Sequence, residues 1–192
     1  MLQTPFADVS ANSQACDSAR SAAPAGVAQN SIGADNFVAA MRVQATAVNL
    51  VTTDGPAGRY GVTVSAVASV SAEPPLVLAC VNRRSPAVEA IKRNGVFCVN
   101  ALNAGQAEIA NVFAGRPSRG VAFDFDCADW LPGVTGSPEL SGALASLDCE
   151  VYETIVAGTH TVFIGRVIGT ISRADRPLLY CDRQFAAPTG LA

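Results

Sequence analysis

Gly61-Val62-Thr63-Val64-Ser65-Ala66-Val67-Ala68-Ser69-Val70-Ser71-Ala72-Glu73-Pro74-Pro75-Leu76-Val77-Leu78-Ala79-Cys80-Val81-Asn82-Arg83-Arg84-Ser85 is the stretch on which the reading of this chain turns. Val62, Val64 and Ala66 alternate with Thr63, Ser65 and Val67, the period-2 pattern of a half-buried strand. Pro74-Pro75 removes two ladder donors and predicts the end of that strand. Leu76 to Val81 is a continuous apolar run and reads as a buried strand. It ends in Asn82-Arg83-Arg84-Ser85, where polar donors and positive charge arrive together, as an anion site requires.

Working outward, Asp35 or Asn36 caps a short helix to about Gln44, and 47–53 reads as a first strand before the turn Asp54-Gly55-Pro56. Strands follow over 60–70 and 76–81. Ser85 as N-cap with Pro86 behind it predicts a helix to Arg93, ended by Asn94-Gly95. A strand over 96–101 and a short helix over 106–113 come next. Residues 115–142 are rich in Gly, Pro and Asp and read as mostly irregular. Residues 146–156 and 161–172 form a long antiparallel pair about Ala157-Gly158-Thr159, and 178–181 makes a last strand. No βαβ rhythm and no G-x-G-x-x-G appear, which argues against a doubly wound dinucleotide fold and for a closed, mainly β barrel with short helices.

The 192 residues suit one domain. The expected division is a flexible N-terminal tail over 1–30 and a single domain over 31–192. With 49% hydrophobic and 15% charged residues the chain is globular, and its low charge points to a surface covered by a second subunit. The net charge of −3 argues against nucleic acid, and apolar runs are too short to span a membrane. Six cysteines with no C-x-x-C pair, and one histidine, His160, argue against a zinc or iron–sulfur site. Unpaired thiols and no export signal predict a cytoplasmic protein.

Four ordered segments resemble the flavin reductase-like family, the small reductase components of two-component flavin monooxygenases. They are the opening stretch, Phe97-Cys98-Val99-Asn100-Ala101-Leu102 with Gln106 and Phe113-Ala114-Gly115, Gly158-Thr159-His160-Thr161-Val162-Phe163-Ile164-Gly165, and Pro177-Leu178-Leu179-Tyr180 through Phe185. The resemblance covers roughly residues 33–187 and looks closest to the reductases of pyrimidine-degradation and 4-hydroxyphenylacetate monooxygenases. It implies an antiparallel, Greek-key-like FMN-binding split barrel, a homodimer, FMN (or FAD) as cofactor, NADH or NADPH as cosubstrate, and a separate monooxygenase as client.

The resemblance also assigns residues. Thr63, Val64, Ser65 and Ala66 would line the flavin edge; the strand by itself reads rather as an ordinary one with small residues on a crowded face, and the flanking motifs turn the balance toward the cofactor. Ser69, Val70 and Ser71 would reach the ring or ribityl chain, with turn hydrogen bonding the competing role for the serines. Asn82, Arg83 and Ser85 would take the phosphate, Ser85 at a helix start whose free amides attract anions. Asn100 and Phe113 join the cofactor contacts. Tyr180 either stacks on a ring or is a core aromatic with a wet hydroxyl. His160 would position the nicotinamide rather than move a proton, and Thr159 stands where the family usually has Asp. No Ser-His-Asp or Cys-His set is available, consistent with hydride transfer that the cofactors themselves perform. Two other readings stay open: an FMN-bound reductase of a corrinoid or ferric chelate, and a flavin-binding protein with little turnover. A barrel dimer with no flavin is the third.

Overall fold

The structure is a computed structural model that describes residues 32–190. The expected N-terminal tail lies outside the described residues. In chain order the elements are α1 (Ala34–Arg42), β1 (Thr46–Ala47), β2 (Asn49–Thr53), β3 (Tyr60–Val64), β4 (Val67–Ala72), β5 (Pro75–Asn82), α2 (Ala87–Asn94), β6 (Val96–Ala101), α3 (Ala107–Phe113), β7 (Trp130–Pro132), β8 (Pro138–Leu140), β9 (Ala145–Ala157), β10 (His160–Ser172), β11 (Leu179–Cys181) and β12 (Gln184–Ala186).

Seven strands form one antiparallel sheet in the order β3-β2-β6-β9-β10-β5-β4. Its two edge strands are consecutive in sequence. β3 pairs with β2, Val64 opposite Asn49, while β4 pairs with β5, Val67 opposite Ala79. The stretch read as one strand, 60–70, is therefore two strands that change partner at Ser65-Ala66, and this change closes the sheet into a split barrel. The Cys80 amide donates to the Ala66 carbonyl (2.9 Å), so the ladder to β5 begins at the crossing itself.

Alternation on the strands fills two cores. Val51, Val64, Val77, Ala79, Val81, Phe97, Val99 and Phe163 point into the barrel, plugged at one end by Ala87, Val88 and Ile91 of α2. Val48, Leu50, Leu102 and Leu140 point the other way, against Ala110, Val112 and Phe113 of α3. β2 is buried on both faces for this reason. Gly61 and Gly165 mark close approaches: a Cβ on Gly61 would sit 2.6 Å from Phe113, and one on Gly165 2.5 Å from Phe97.

Several local expectations need correcting. The region 115–142 holds the hairpin β7–β8, tied down by the buried Asp148 carboxylate, which accepts from the Thr135 amide (2.7 Å) and hydroxyl (2.6 Å). The last strand is paired with β1 and with the unforeseen β12 in a separate small sheet. α1 starts after Gly33 without a side-chain cap, and none of its residues is buried. Pro86 precedes α2 rather than opening it, and the Ser85 hydroxyl accepts from the Ala87 amide (3.3 Å), a capping role close to the expected one. No described helix is long and apolar enough to cross a membrane.

Candidate functional site

The partner change at Ser65-Ala66 leaves β3 with a free edge, and cavities open on both flanks of this strand. The first, about 460 Å³, is lined by Thr63, Val64, Ser65, Tyr180 and Phe185 together with Arg116 and Arg183. The second, about 300 Å³, lies between the start of β3 and the start of α2, lined by Tyr60, Gly61, Ser85, Phe123 and Phe125. Arg59 borders it with its guanidinium 5.6 Å from the Phe125 ring centroid and its Nε 2.7 Å from Asp54.

The expected residues divide into groups. Thr63, Val64, Ser65 and Tyr180 meet in the first cavity, and Ser85 stands in the second. The Thr63 hydroxyl is not free, since it donates to the Ala110 carbonyl (2.8 Å) and fastens β3 to α3; Ser65 is the exposed hydroxyl of the pair. Tyr180 packs edge-on against Phe185, its cross-strand neighbour, at 5.5 Å.

Asn82, Arg83 and His160 gather at one end of the sheet. His160 lies directly opposite Asn82. The Arg83 amide donates to the Thr159 carbonyl (3.0 Å) and its guanidinium to the Gly158 carbonyl (3.4 Å), which locks the loop after β5 to the β9–β10 turn. The Asn82 side chain accepts from the Arg84 amide (2.9 Å), shaping the loop toward Ser85. Thr159 Oγ1 lies 3.0 Å from His160 Nδ1, so a neutral hydroxyl orients the ring where a carboxylate was the pattern. β10 is two strand spacings from β4, about 10 Å across β5, which puts His160 within reach of a flat ligand seated at the crossing.

Two of the expected residues lie away from both cavities. Asn100 is fully buried and touches neither cavity. Its Nδ2 donates to Thr52 Oγ1 (3.1 Å) and to the Leu50 and Pro138 carbonyls (both 3.3 Å), and its Oδ1 accepts from the Leu140 amide (2.8 Å) and Ser146 Oγ (2.9 Å). It joins β2, β6, β8 and β9. Phe113 is likewise fully buried, in an edge-on cluster with Phe125 (4.9 Å) and Trp130 (5.7 Å). Ser69, Val70 and Ser71 line neither cavity. Val70 sits at a break in the β4–β5 register, and Ser71 Oγ accepts from the Glu73 amide (3.1 Å), the turn bond that competed with a ligand role.

Arg116, Arg183 and Phe185 were given no role from the sequence. Arg183 had a legible signal: Cys181-Asp182-Arg183-Gln184 is hairpin spacing, and Asp182 (φ 47°) and Arg183 (φ 64°) form its left-handed two-residue turn.

Comparison with known proteins gives this geometry its context. The model of the flavin reductase like domain matches residues 41–189. The chain belongs to the flavin reductase-like family. An FMN reductase (NADH), RutF, of Escherichia coli is 41% identical over 160 residues, which cover 82% of this chain and 96% of that protein. Its namesake in Ancylobacter novellus is 40% identical over 160 residues, 83% and 87% of the two chains. Among solved structures, the NADH:FAD oxidoreductase of Streptomyces globisporus superposes with a TM-score of 0.73 at 32% identity, over 88% of this chain and all of that one. The flavin reductase component of a bacterial two-component tryptophan halogenase gives 0.72 at 30% identity, over 81% and 98%. The split-barrel architecture of this family is the one observed here.

Proposed function

We propose that this protein is an NAD(P)H-dependent flavin reductase that moves hydride from a nicotinamide to FMN and hands reduced flavin to a separate monooxygenase. The observation that carries the reading is the partner change at Ser65-Ala66, which opens small-residue backbone toward the loop Asn82–Ser85 on one side and toward His160 two strands away. The lining fits a flavin nucleotide. Ser65 and Ala66 are small and exposed, so a flat ring meets no bulky side chain, and Asn82, Arg83 and Ser85 bring polar groups and positive charge to the turn that leads into α2.

A bound flavin supplies the hydride-accepting ring, and the chain's contribution is position. The Ser65-Ala66 backbone holds the ring edge, the Asn82–Ser85 loop holds the phosphate, and His160, steadied by Thr159, holds the nicotinamide in line. The similarity to relatives named FMN reductase (NADH) supports NADH and FMN as the nucleotides used. Their similarity, and that of the halogenase component, supports an oxygenase or related flavin-dependent enzyme as client.

The same sheet supports a homodimer. Ala68, Leu78, Cys80, Ile155, Val162 and Ile164 fall on one outward face by cross-strand register, and Ile155 is 43% exposed. A largely apolar face of this kind, with Glu153 opposite Ile164 as its charged member, is what a two-fold copy of itself covers. The five described cysteines are free, in keeping with the reducing cytoplasm where NADH is made.

Anaerobic stopped-flow with FMN and NADH tests the reading. Rapid bleaching of the flavin band is the expected result. Tight flavin binding without bleaching by either nicotinamide would replace it with a flavin-storage role.

A further inference from the structure

Besides Thr63, Val64 and Ser65, the first cavity is lined by Asn111, Arg116, Tyr180, Arg183 and Phe185, which bring two cations to one side-chain cluster. Arg42, Arg59, Lys92 and Arg166 each lie within 2.8 Å of a carboxylate oxygen. Arg116 and Arg183, which both line this cavity, have no such partner among the described residues, and no acidic residue lines the cavity with them. This is a local positive site on a chain of net charge −3. The arrangement is held in place. Asp182, the carboxylate next to Arg183, is taken up by Arg42 Nε (2.6 Å), and its amide donates to the Arg42 carbonyl (2.8 Å), so the β11–β12 turn is fixed with Arg183 left over. The Arg116 amide donates to the Asn111 carbonyl (2.9 Å), which fixes the second arginine at the end of α3.

The rest of the lining suits a purine. Tyr180 and Phe185 form an aromatic wall. Asn111 spends its Nδ2 on Glu108 (3.3 Å), which leaves its Oδ1 as an acceptor for an exocyclic amine. Paired guanidinium groups bind phosphate oxygens by charge-assisted, fork-shaped hydrogen bonds, and aromatic walls take a flat base. A volume of about 460 Å³ is in the range of a nucleotide-sized ligand.

We propose that this cavity is an adenosine-phosphate subsite, in which Arg116 and Arg183 hold the phosphate and Tyr180, Phe185 and Asn111 hold the adenine. It rests on the reductase reading, since the two sources of such a group are the adenylate half of the nicotinamide dinucleotide and that of FAD. Arg116 and Arg183 thereby become determinants of which dinucleotide binds, and FMN, which has no adenylate, is indifferent to them.

Calorimetric titration of 5′-AMP, FMN, FAD and NAD+ into the full chain, Arg116→Gln, Arg183→Gln and the double variant tests this, with Arg93→Gln on the exposed face of α2 as control. The expected result is saturable 5′-AMP binding that weakens about tenfold in each single variant, in line with loss of a charge-assisted bond, and is unchanged in the control. If NAD+ affinity falls in parallel while FAD and FMN hold, the adenylate is the nicotinamide dinucleotide's; if FAD alone falls, it is the flavin's. Failure of 5′-AMP to bind, equal binding by the double variant, or loss of FMN affinity in the arginine variants would overturn the proposal. Absence of FMN binding in the parent protein, with 5′-AMP binding intact, would instead overturn the reductase reading and leave the subsite standing.

Discussion

Replacing Asn100 by Ala should unfold this protein more readily without changing how it binds flavin. The side chain makes five hydrogen bonds at 2.8–3.3 Å, and the residue is fully buried. Ser146 and Thr52 can turn their hydroxyls elsewhere; Thr52 already donates to the Pro138 carbonyl. The Leu140 amide has no such freedom, because Asn100 Oδ1 is its acceptor at the end of β8. A stranded buried amide costs about 1–3 kcal/mol, and the bonds lost at the Leu50 and Pro138 carbonyls about 1 kcal/mol each, so the total comes to about 3–5 kcal/mol. For a chain of this size that is a fall in Tm of about 10 °C. Thermal melts by circular dichroism measure it, and FMN titrations by fluorescence quenching at 10 °C measure the ligand side on folded protein. The expected pair is a large fall in Tm with an FMN Kd within twofold of the parent. A Tm within 3 °C of the parent, together with weakened FMN binding, would refute the argument and restore Asn100 as a cofactor contact.

Other perturbations probe other parts of the structure. His160→Ala should raise the NADH KM about tenfold and leave the FMN Kd alone; Thr159→Val should reproduce part of that rise and Thr159→Ser should not, because the hydroxyl orienting Nδ1 is kept. Equal kinetics for the valine and serine variants would remove Thr159 from the positioning role. Gly61→Ala should cost about 1–3 kcal/mol by overpacking, since its Cβ would meet the buried Phe113 ring at 2.6 Å, and near-ultraviolet dichroism of the adjoining Trp130 should change with it. Burial, with the nearby Asp148 charge adding to it, raises the Glu139 carboxyl above the usual carboxylate range. Raised in the folded state, this group favours folding while protonated and opposes it as the pH rises through the raised value. Glu139→Gln should therefore raise the urea midpoint at pH 8, with the gain shrinking toward pH 4; a gain independent of pH would point to packing instead. Burial also pushes the Cys149 thiol up to about 12, and the Cys98 thiol is raised by the same cause. Neither should react with a disulfide reagent at pH 8 until the chain is unfolded, and fast labelling of either by mass spectrometry of digested native protein would contradict the buried barrel wall.

How far the sequence discloses this molecule depends on the range of the interaction concerned. The strands over 76–81, 96–101 and the long pair about Gly158 are legible because apolar periodicity and turn residues are local, and each appears within a residue or so of its expected span. The hairpin β7–β8 is not, because Trp130–Pro132 and Pro138–Leu140 are three residues each and owe their order to Asp148, outside the segment. Thr63 and Ser65 are an instructive pair. Alternation correctly places both on the face away from the barrel core, but only the packing of α3 reveals that Thr63 is consumed by Ala110 and Ser65 is not.

Asn100 and Phe113 show why family pattern and ligand contact are different statements. A buried amide that joins four strands and a ring that closes on Gly61 are as restrictive of residue type as a bound flavin would be, so the sequence pattern carries both kinds of residue with equal weight. Hydrogen-bond satisfaction separates them. Every polar atom of Asn100 is engaged by the protein, whereas the guanidinium groups of Arg116 and Arg183 are engaged by none of the described carboxylates. The crossing at Ser65-Ala66 extends the same reasoning to the backbone. Nothing local distinguishes 65–66 from the rest of the β pattern, because which partner each half takes is settled by closure of a sheet whose other strands come later in the chain. Closure leaves a free edge where the two halves part, and a strand edge that is neither paired nor covered offers donors and acceptors to a ligand. In this fold the candidate binding site follows from the way the barrel fails to close completely, which is why its residues read as ordinary strand until the partners of that strand are known.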